Sequence, residues 1–169
     1  MSILNEILKR DPLAFTTVQH PFERLVSAYL KFQRITNEKC CNVECNFVAG
    51  RTFGKFITEY LLPAARDSIN KQTCEKMNAH FKPTNAFCAF CNINYTIISK
   101  GETFTEDKSR ILQTVGLEDN EVLLKYRGGN ELKNITKNFF KDLTQNQRKF
   151  VQNLYKYDFA MFEYDPNLY

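Results

Sequence analysis

The residues best suited to chemistry lie in a short stretch whose pattern predicts a strand, a turn and the start of a helix. Residues 14–18 are mostly β-branched or aromatic, which predicts a short buried strand. Pro21 fits the first position of a helix, where its missing N–H costs nothing. Backbone N–H groups and the positive end of the helix dipole meet at such a turn and favour a bound anion. Arg24 and Ser27, in the first two turns, can add hydrogen bonds to a phosphate.

The same stretch also has a purely structural interpretation. Apolar side chains recur at helical spacing, so one face of the helix is predicted to pack on a core; they are Phe22, Leu25, Val26, Tyr29 and Leu30. Arg24 could equally pair with a carboxylate at the edge of that core, and many strand–helix turns bind nothing. On the residues alone, phosphate binding is one of two open interpretations.

Length and composition suit one globular domain. The chain has 169 residues, of which 43% are hydrophobic and 25% charged, as in ordinary soluble proteins. The net charge of +4 is compatible with a polyanionic partner, but no nucleic-acid recognition motif accompanies it. No run of 18 apolar residues occurs, so no membrane-spanning helix is predicted. Residues 1–10 have an amphipathic helical pattern rather than that of a signal peptide, which taken alone indicates a cytosolic protein.

The cysteines and two glycosylation sequons indicate a secretory compartment instead. The six cysteines form an even set of disulfide candidates: Cys40, Cys41, Cys45, Cys74, Cys88 and Cys91. No histidine follows at a zinc-ligand spacing and only one Cys-x-x-Cys occurs, so no metal site is predicted. Cys74 is a candidate partner for one of the first three, but the pairing stays open. Asn94 and Asn134 begin the sequons and are candidate glycosylation sites.

Local signals place a second helix after residue 50. Gly50–Lys55 is one residue short of a Walker A phosphate loop and has Phe56 where Ser or Thr would stand. Thr52 is therefore interpreted as the N-cap of a helix that Pro63 ends. Its predicted core face consists of Phe53, Phe56, Ile57, Tyr60 and Leu61.

The second half of the sequence predicts a strand, two helices and a loop between them. Residues 93–99 are predicted to form the strand, and a capping box at residues 103–106 opens a helix that stops at Gly116. This helix is expected to bury Ile111, Leu112 and Val115. Residues 117–143 are predicted to be a surface loop whose basic residues could face a sulfated or carboxylated glycan: Lys125, Arg127, Lys133, Lys137 and Lys141. A capping box at residues 144–147 opens a last helix that buries Phe150, Val151, Leu154 and Tyr155.

The two histidines, His20 and His80, are the candidate general bases. Imidazole titrates near neutral pH and could accept a proton from a sugar hydroxyl. A hydrogen-bonded structural role is the commoner one for a histidine in either setting. No catalytic residue is therefore assigned.

Three segments together closely resemble the Golgi carbohydrate sulfotransferases, the family that contains the chondroitin 4-O-sulfotransferases. His20 to Tyr29 match, without a gap, the family pattern Asp/His-Pro-Phe-Glu-Arg-Leu-Val-Ser-Ala-Tyr. The second segment runs from His80-Phe81-Lys82-Pro83 through Cys88-Ala89-Phe90-Cys91 to Tyr95, Ile98 and Glu102. The third is Leu154-Tyr155-x-x-Asp158-Phe159-x-x-Phe162-x-Tyr164. Three motifs in order leave little room for coincidence.

The resemblance implies a nucleotide donor bound at the first motif. In the family, an Arg and the Ser of this motif hold the 3′-phosphate of 3′-phosphoadenosine 5′-phosphosulfate; here the Ser is Ser27, and the Arg position is Gln19. The implied donor-binding residues are Gln19, His20, Arg24 and Ser27. No metal is implied. The implied partner is a glycan acceptor of the chondroitin, dermatan or N-acetylgalactosamine type, and the implied location is the Golgi lumen, with membrane attachment only through an anchor that this sequence lacks.

The implied fold is α/β, a P-loop-like sulfotransferase domain with a parallel sheet flanked by helices. The family's second donor-binding loop cradles the 5′-phosphosulfate and precedes the first strand, but residues 1–13 contain no Gly and no such turn. Residues 1–169 are therefore expected to form a single, partial domain comprising the C-terminal portion of the fold. Two functions follow: a carbohydrate sulfotransferase, or a catalytically inactive relative that binds a glycan or a partner enzyme.

Overall fold

The structure, a computed structural model, describes residues 14–36, 48, 50–70, 77–87, 90, 92–114, 116 and 129–169. The chain divides into two compact units. The strand unit comprises Met1–Gln19 and Ala89–Gly128, and the helical unit comprises His20–Cys88 and Gly129–Tyr169. The predicted helix over residues 1–10 and all six cysteines lie outside the described residues.

The strand unit contains a small parallel sheet. Strand β1 (Phe15–Val18) pairs with β2 (Ile97–Lys100), with Phe15 opposite Ile97 and Val18 opposite Lys100. The prediction of a strand over residues 93–99 was correct in type, but the strand begins at Ile97 and ends one residue later. Within β1 only Val18 is fully buried and Phe15 is 42% exposed, so the predicted burial was wrong for most of the strand. Two strands alone enclose little apolar surface.

The helix after β2 forms as predicted, but its start is built differently. A 3-10 turn at Gly101–Thr103 leads into α5 (Phe104–Thr114), numbered in chain order with the helices below. The Thr103 hydroxyl donates to Asp107 Oδ2 at 2.8 Å, a contact outside the predicted capping box with Glu106. Ile111 and Leu112 are buried as expected; the side chain of Val115 lies outside the described residues. Gly116 follows with a φ of +70°, a left-handed conformation that suits glycine after a helix.

In the helical unit, helix α1 (Pro21–Thr36) confirms the prediction made from its sequence. Pro21 occupies the first helical position, where no intrahelical hydrogen bond is lost. The predicted apolar stripe is buried: Phe22, Leu25, Val26 and Tyr29 are at most 2% exposed, and Leu30 is half-buried. The stripe turns one face of α1 to the core and leaves Ser27, Lys31 and Arg34 exposed on the other side.

The helix predicted to end at Pro63 continues past it. It runs from α2 (Phe53–Phe56), capped by Thr52, through a π-helical turn (Ile57–Leu61) into α3 (Leu62–Asn70). Proline breaks an α-helix because it lacks an N–H and its ring clashes with the carbonyl four residues earlier. In the wider π turn, the Leu62 N–H bonds the carbonyl of Ile57, five residues back, and this altered register accommodates Pro63 within the helix.

Four further helices complete the described part of the helical unit: α4 (Thr84–Phe87), α6 (Asn130–Lys141), α7 (Gln145–Leu154) and α8 (Lys156–Met161). The prediction of a loop over residues 117–143 was therefore wrong for α6. Thr136 and Phe140 are buried while Lys133, Lys137 and Lys141 are exposed, so the polar composition conceals an amphipathic helix. Lys125 and Arg127 lie outside the described residues.

The core of the helical unit is aromatic. The ring centroid of Phe22 lies 4.3 Å from that of Phe140 and 5.0 Å from that of Phe159, which joins α1 to α6 and α8. Tyr29 contacts Phe53 in the same way at 5.1 Å. The unit thus packs helices around stacked and edge-to-face rings, while the chain as a whole is confirmed as mixed α/β with a small parallel sheet.

Candidate functional site

The predicted donor-binding residues divide between the two units. Gln19 is half-buried and belongs to the strand unit, whereas His20, Arg24 and Ser27 belong to the helical unit. Of the three in the helical unit, only Ser27 is exposed. Its place midway along the polar face of α1 leaves its hydroxyl accessible to a ligand.

His20 is buried before the first turn of α1 and has a structural role. It is 2% exposed, and its Nδ1 accepts the backbone N–H of Phe22 at 3.3 Å. An accepting Nδ1 places the proton on Nε2, which then donates to the carbonyl of Asp165 at 3.2 Å. The rings of Phe22, Phe159, Tyr164 and Tyr169 surround the imidazole with centroids 5.0–5.6 Å away. A histidine enclosed in this way cannot reach a substrate hydroxyl.

Glu23 is the acidic residue of the first turn of α1, and it is turned inward. It is 1% exposed, and its Oε1 accepts the hydroxyl of Tyr169 at 2.5 Å. A carboxylate in the first turn also interacts favourably with the helix dipole. Because the group is buried, it does not place negative charge on the exposed face of α1.

Arg24 binds a loop of the protein. Its guanidinium donates to the carbonyls of His80 (3.3 Å from Nη1) and Lys82 (from Nη2), and it lies 6.0 Å from the ring centroid of Tyr155. The side chain therefore ties α1 to residues 78–85, defined here as the cradle loop. This arrangement corresponds to the structural alternative for Arg24, although its partners are carbonyls rather than a carboxylate.

The cradle loop is held from the other side by α8 and the residue that precedes it. The hydroxyl of Tyr155 donates to the carbonyl of Phe81 at 2.8 Å. The carboxylate of Asp158 accepts the backbone N–H groups of Thr84 at 2.6 Å and Asn85 at 2.8 Å, and so caps the start of α4. The three segments that carried the family resemblance therefore meet at this loop.

Burial governs the ionisation of the two groups that hold the cradle loop. Burial raises the pKa of Asp158, while the N–H groups of Asn85 and Thr84 and the nearby Arg24 guanidinium oppose the rise. Burial likewise raises the pKa of the Tyr155 hydroxyl. Tyr155 is therefore a neutral donor at physiological pH, as its bond to a carbonyl requires.

His80 lies exposed on the cradle loop with both ring nitrogens engaged. Nδ1 lies 3.0 Å from Oδ1 of Asn78, and Nε2 lies 3.2 Å from Nζ of Lys31. The ring also meets that of Phe32 edge-on at 5.5 Å. The sequence did not predict the contact with Lys31, although Lys31 stands four residues after Ser27 and hence on the same helical face.

The glycosylation candidates are both accessible. Asn94 is exposed in the strand unit and Asn134 is exposed on α6, and their modification stays a prediction. The described residues do not bring together three or more His, Cys, Asp or Glu side chains able to hold a metal ion. None of the described helices has the length and apolar character needed to cross a lipid bilayer.

Comparison with known proteins identifies one family. The model of the sulfotransferase family matches residues 2–165. Mouse carbohydrate sulfotransferase 11 is 27% identical over 177 residues, covering 92% of this chain and 48% of that protein. Human carbohydrate sulfotransferase 9 is 27% identical over 168 residues, covering 87% and 36% respectively. The chain thus spans at most about half the length of these curated relatives. No solved structure matches it significantly.

Proposed function

Because the chain belongs to the sulfotransferase family, we propose that it takes part in transferring sulfate from 3′-phosphoadenosine 5′-phosphosulfate to a hydroxyl of a glycan. In this reaction the hydroxyl oxygen forms a bond to sulfur while the bond from sulfur to the bridging phosphate oxygen breaks. The hydroxyl proton passes to a base. His20 is too deeply buried to act as this base. The other product is 3′-phosphoadenosine 5′-phosphate.

The observation that carries the proposal is the accessible hydroxyl of Ser27 within a segment that matches the family. Hydroxyl and backbone N–H groups bind phosphate oxygens well, and a bond to a charged phosphate is stronger than a neutral one. We assign Ser27 to the nucleotide 3′-phosphate, and Gln19 stays a prediction from the family resemblance. His20 and Arg24 fix this segment through packing and through the cradle loop, so their contribution to donor binding is indirect.

The acceptor and the cellular location are proposed from family membership. The relatives are named as carbohydrate sulfotransferases, which supports a glycan acceptor. Exposed lysines on α6, at Lys133, Lys137 and Lys141, could face a sulfated or carboxylated chain. A Golgi lumenal setting would also allow Asn94 and Asn134 to be glycosylated.

A second candidate function is favoured by two residues of the first motif. Gln19 is neutral where the family has an arginine, and the guanidinium of Arg24 is occupied by the carbonyls of His80 and Lys82. Gln19 then offers the donor no charge, and the half-buried guanidinium of Arg24 has two of its five N–H donors engaged by the protein itself. A relative that binds a glycan or a partner enzyme without transferring sulfate would need no such cation.

Calorimetric titration with 3′-phosphoadenosine 5′-phosphate tests the proposal. We expect micromolar binding that weakens roughly tenfold or more in Ser27→Ala, which loses a hydrogen bond to a charged group. Gln19→Arg should bind more tightly because it adds a charge-assisted bond. Thr105→Ala, which removes an exposed hydroxyl from α5, is the matched control and should bind like the wild type.

The outcomes separate the two candidate functions. Binding followed by transfer of labelled sulfate to desulfated chondroitin supports the enzyme. Nucleotide binding without transfer to any glycan tested supports the inactive relative. Absence of nucleotide binding in the wild type and in Gln19→Arg contradicts the donor site at this motif.

A further inference from the structure

His80 contacts two polar residues of α1 that stand before and after Ser27 in the sequence. The carbonyl of His80 accepts Nη1 of Arg24 at 3.3 Å, and its ring nitrogen Nε2 lies 3.2 Å from Nζ of Lys31. Arg24 and Lys31 are seven residues apart, about 10 Å along the helix axis. Ser27 lies between them on the same face, three residues after one and four before the other. The two contacts of His80 therefore bracket Ser27 along the helix.

The ring of His80 is oriented by Asn78. The amide oxygen Oδ1 of Asn78 accepts the backbone N–H of His80 at 2.9 Å, which fixes the oxygen rather than the nitrogen toward His80. The same oxygen lies 3.0 Å from Nδ1 of the ring. Because an amide oxygen only accepts, Nδ1 carries the proton. Nε2 is then left with a lone pair, which accepts one proton of the Lys31 ammonium.

This contact holds Lys31 in place and leaves donors of its side chain available to a ligand. An ammonium group has three donors, and His80 takes one of them. The only acidic residue of α1 in the sequence is Glu23, which is buried and bonded to Tyr169. Long side chains on a helix also lean toward its N-terminus, and for Lys31 that is the direction of Ser27. A hydroxyl and a positioned cation thus face the same patch of surface.

Resting on the nucleotide site proposed above, we propose that Lys31 binds the 3′-phosphate together with Ser27, and that His80 positions Lys31 for this contact. Lys31 supplies a positive charge on the exposed face of α1, whereas Gln19 is neutral and Arg24 is half-buried and bonded to the cradle loop. Asn78 fixes the ring of His80 and Arg24 bonds its backbone, so both residues position Lys31 indirectly. The phosphate-binding surface is then Ser27 with Lys31, one helical turn apart.

Nitrogen NMR of the two imidazole rings gives a direct test. The chain has two histidines, one buried and one exposed, so their ring signals report on separate places. We expect inorganic phosphate and 3′-phosphoadenosine 5′-phosphate each to shift the Nε2 signal of His80 while leaving His20 unchanged. The shift should vanish in Lys31→Gln and persist in Lys149→Gln, which removes another exposed lysine, from α7.

Calorimetry on the same variants separates binding from positioning. Lys31→Gln should weaken binding of 3′-phosphoadenosine 5′-phosphate about tenfold or more, because a charge-assisted bond is lost. Lys31→Arg should keep most of the affinity, since the charge remains. His80→Ala should weaken binding less than Lys31→Gln does. In the double variant, His80→Ala should cause no further loss of affinity, because the Lys31 side chain that it positions is already absent. A purely structural His80 would add its effect in both backgrounds.

Each outcome either supports or overturns the proposed phosphate-binding role of Lys31. Nucleotide binding that is equal in wild type and Lys31→Gln overturns the role of Lys31 while leaving the proposed function standing. A Lys31-dependent shift with inorganic phosphate, without nucleotide binding, supports the anion site and contradicts the proposed donor. No shift of His80 with either probe overturns the inference. Circular dichroism of each variant confirms that it is folded.

Discussion

At the scale of single residues, the polar groups that support the fold differ from those that are accessible to a ligand. Arg24, Tyr155 and Asp158 look like candidates for catalysis because they are polar, partly or fully buried and close together. Each instead bonds the backbone of the cradle loop. Buried polar groups need such partners, because a donor or acceptor left without one costs about 1–3 kcal/mol. What remains accessible beside them is Ser27, Lys31 and the ring of His80.

The raised pKa of Asp158 predicts a pH dependence of stability. Between the ordinary value of 3.8 and the higher value in the fold, the folded state binds more protons than the unfolded state. The free energy of unfolding contributed by this group therefore falls as the pH rises through that window. Asp158→Asn lacks this dependence. The amount by which the free energy of unfolding of the wild type exceeds that of the variant should therefore shrink from acidic to neutral pH. Urea unfolding of both proteins across this range measures it.

The same substitution has an effect that does not depend on pH. An asparagine side chain offers one acceptor in place of two, so the N–H of Thr84 or Asn85 loses its partner. We expect a loss of about 1–3 kcal/mol in the free energy of unfolding. Asp165→Asn, at an exposed aspartate, is the control for a general effect of charge. Identical dependence of stability on pH in Asp158→Asn and the wild type would contradict a raised pKa of Asp158.

At the scale of elements, helix boundaries follow local chemistry where a cap is made and depart from it where packing intervenes. Thr144 begins α7 with a complete capping box: its hydroxyl accepts the N–H of Gln147, whose Oε1 accepts the N–H of Thr144 at 2.9 Å. The amide of Gln147 also donates to the carbonyl of Gly54 at 3.0 Å. The cap thus connects the start of α7 to α2.

Removing this cap should destabilise α7 measurably. Thr144→Ala leaves the N–H of Gln147 without its acceptor and should lower the free energy of unfolding by about 1 kcal/mol. Thr144→Ser keeps a hydroxyl at the same position and should stay close to the wild type. Thermal and urea unfolding of the two variants provide the measurement. Equal stability of Thr144→Ala and Thr144→Ser would show that the box contributes nothing.

At the scale of the whole molecule, the main cluster of buried hydrophobic side chains lies in the helical unit and is rich in aromatic rings. Phe22 is 1% exposed and contacts rings from two helices distant in sequence, through Phe140 and Phe159. The strand unit contributes a two-stranded sheet with α5 packed beside β2. Stability of the helical unit should therefore be most sensitive to the centre of the ring cluster.

Truncation of one central ring tests this dependence. Phe22→Ala should cost about 3–5 kcal/mol, because it removes buried apolar surface and leaves a cavity. Phe15→Ala, at a phenylalanine 42% exposed on β1, is the matched control and should cost much less. Chemical unfolding followed by far-ultraviolet circular dichroism gives both values. A similar loss in the two variants would contradict a core centred on Phe22.

The sequence by itself determined the features that depend on residues within a few positions of one another. The start of α1 at Pro21, its buried stripe, the caps at Thr52 and Thr144 and the stop at Gly116 all follow from local dihedral preferences and helical periodicity. The family motifs were equally visible. The lysine-rich composition obscured α6, although its apolar residues recur at helical spacing: Leu132, Ile135, Phe139 and Phe140.

Tertiary structure alone decided what the polar residues do. The partners of Arg24 and Lys31 lie 56 and 49 residues away in the chain, and Asp158 bonds an amide 74 residues earlier. No local pattern encodes such pairings, because they arise only when packed helices bring distant segments together. Tertiary packing also decided the structure around Pro63, which local rules place at a helix end. The buried residues Ile57, Tyr60 and Leu61 keep the chain helical, and a π turn absorbs the proline.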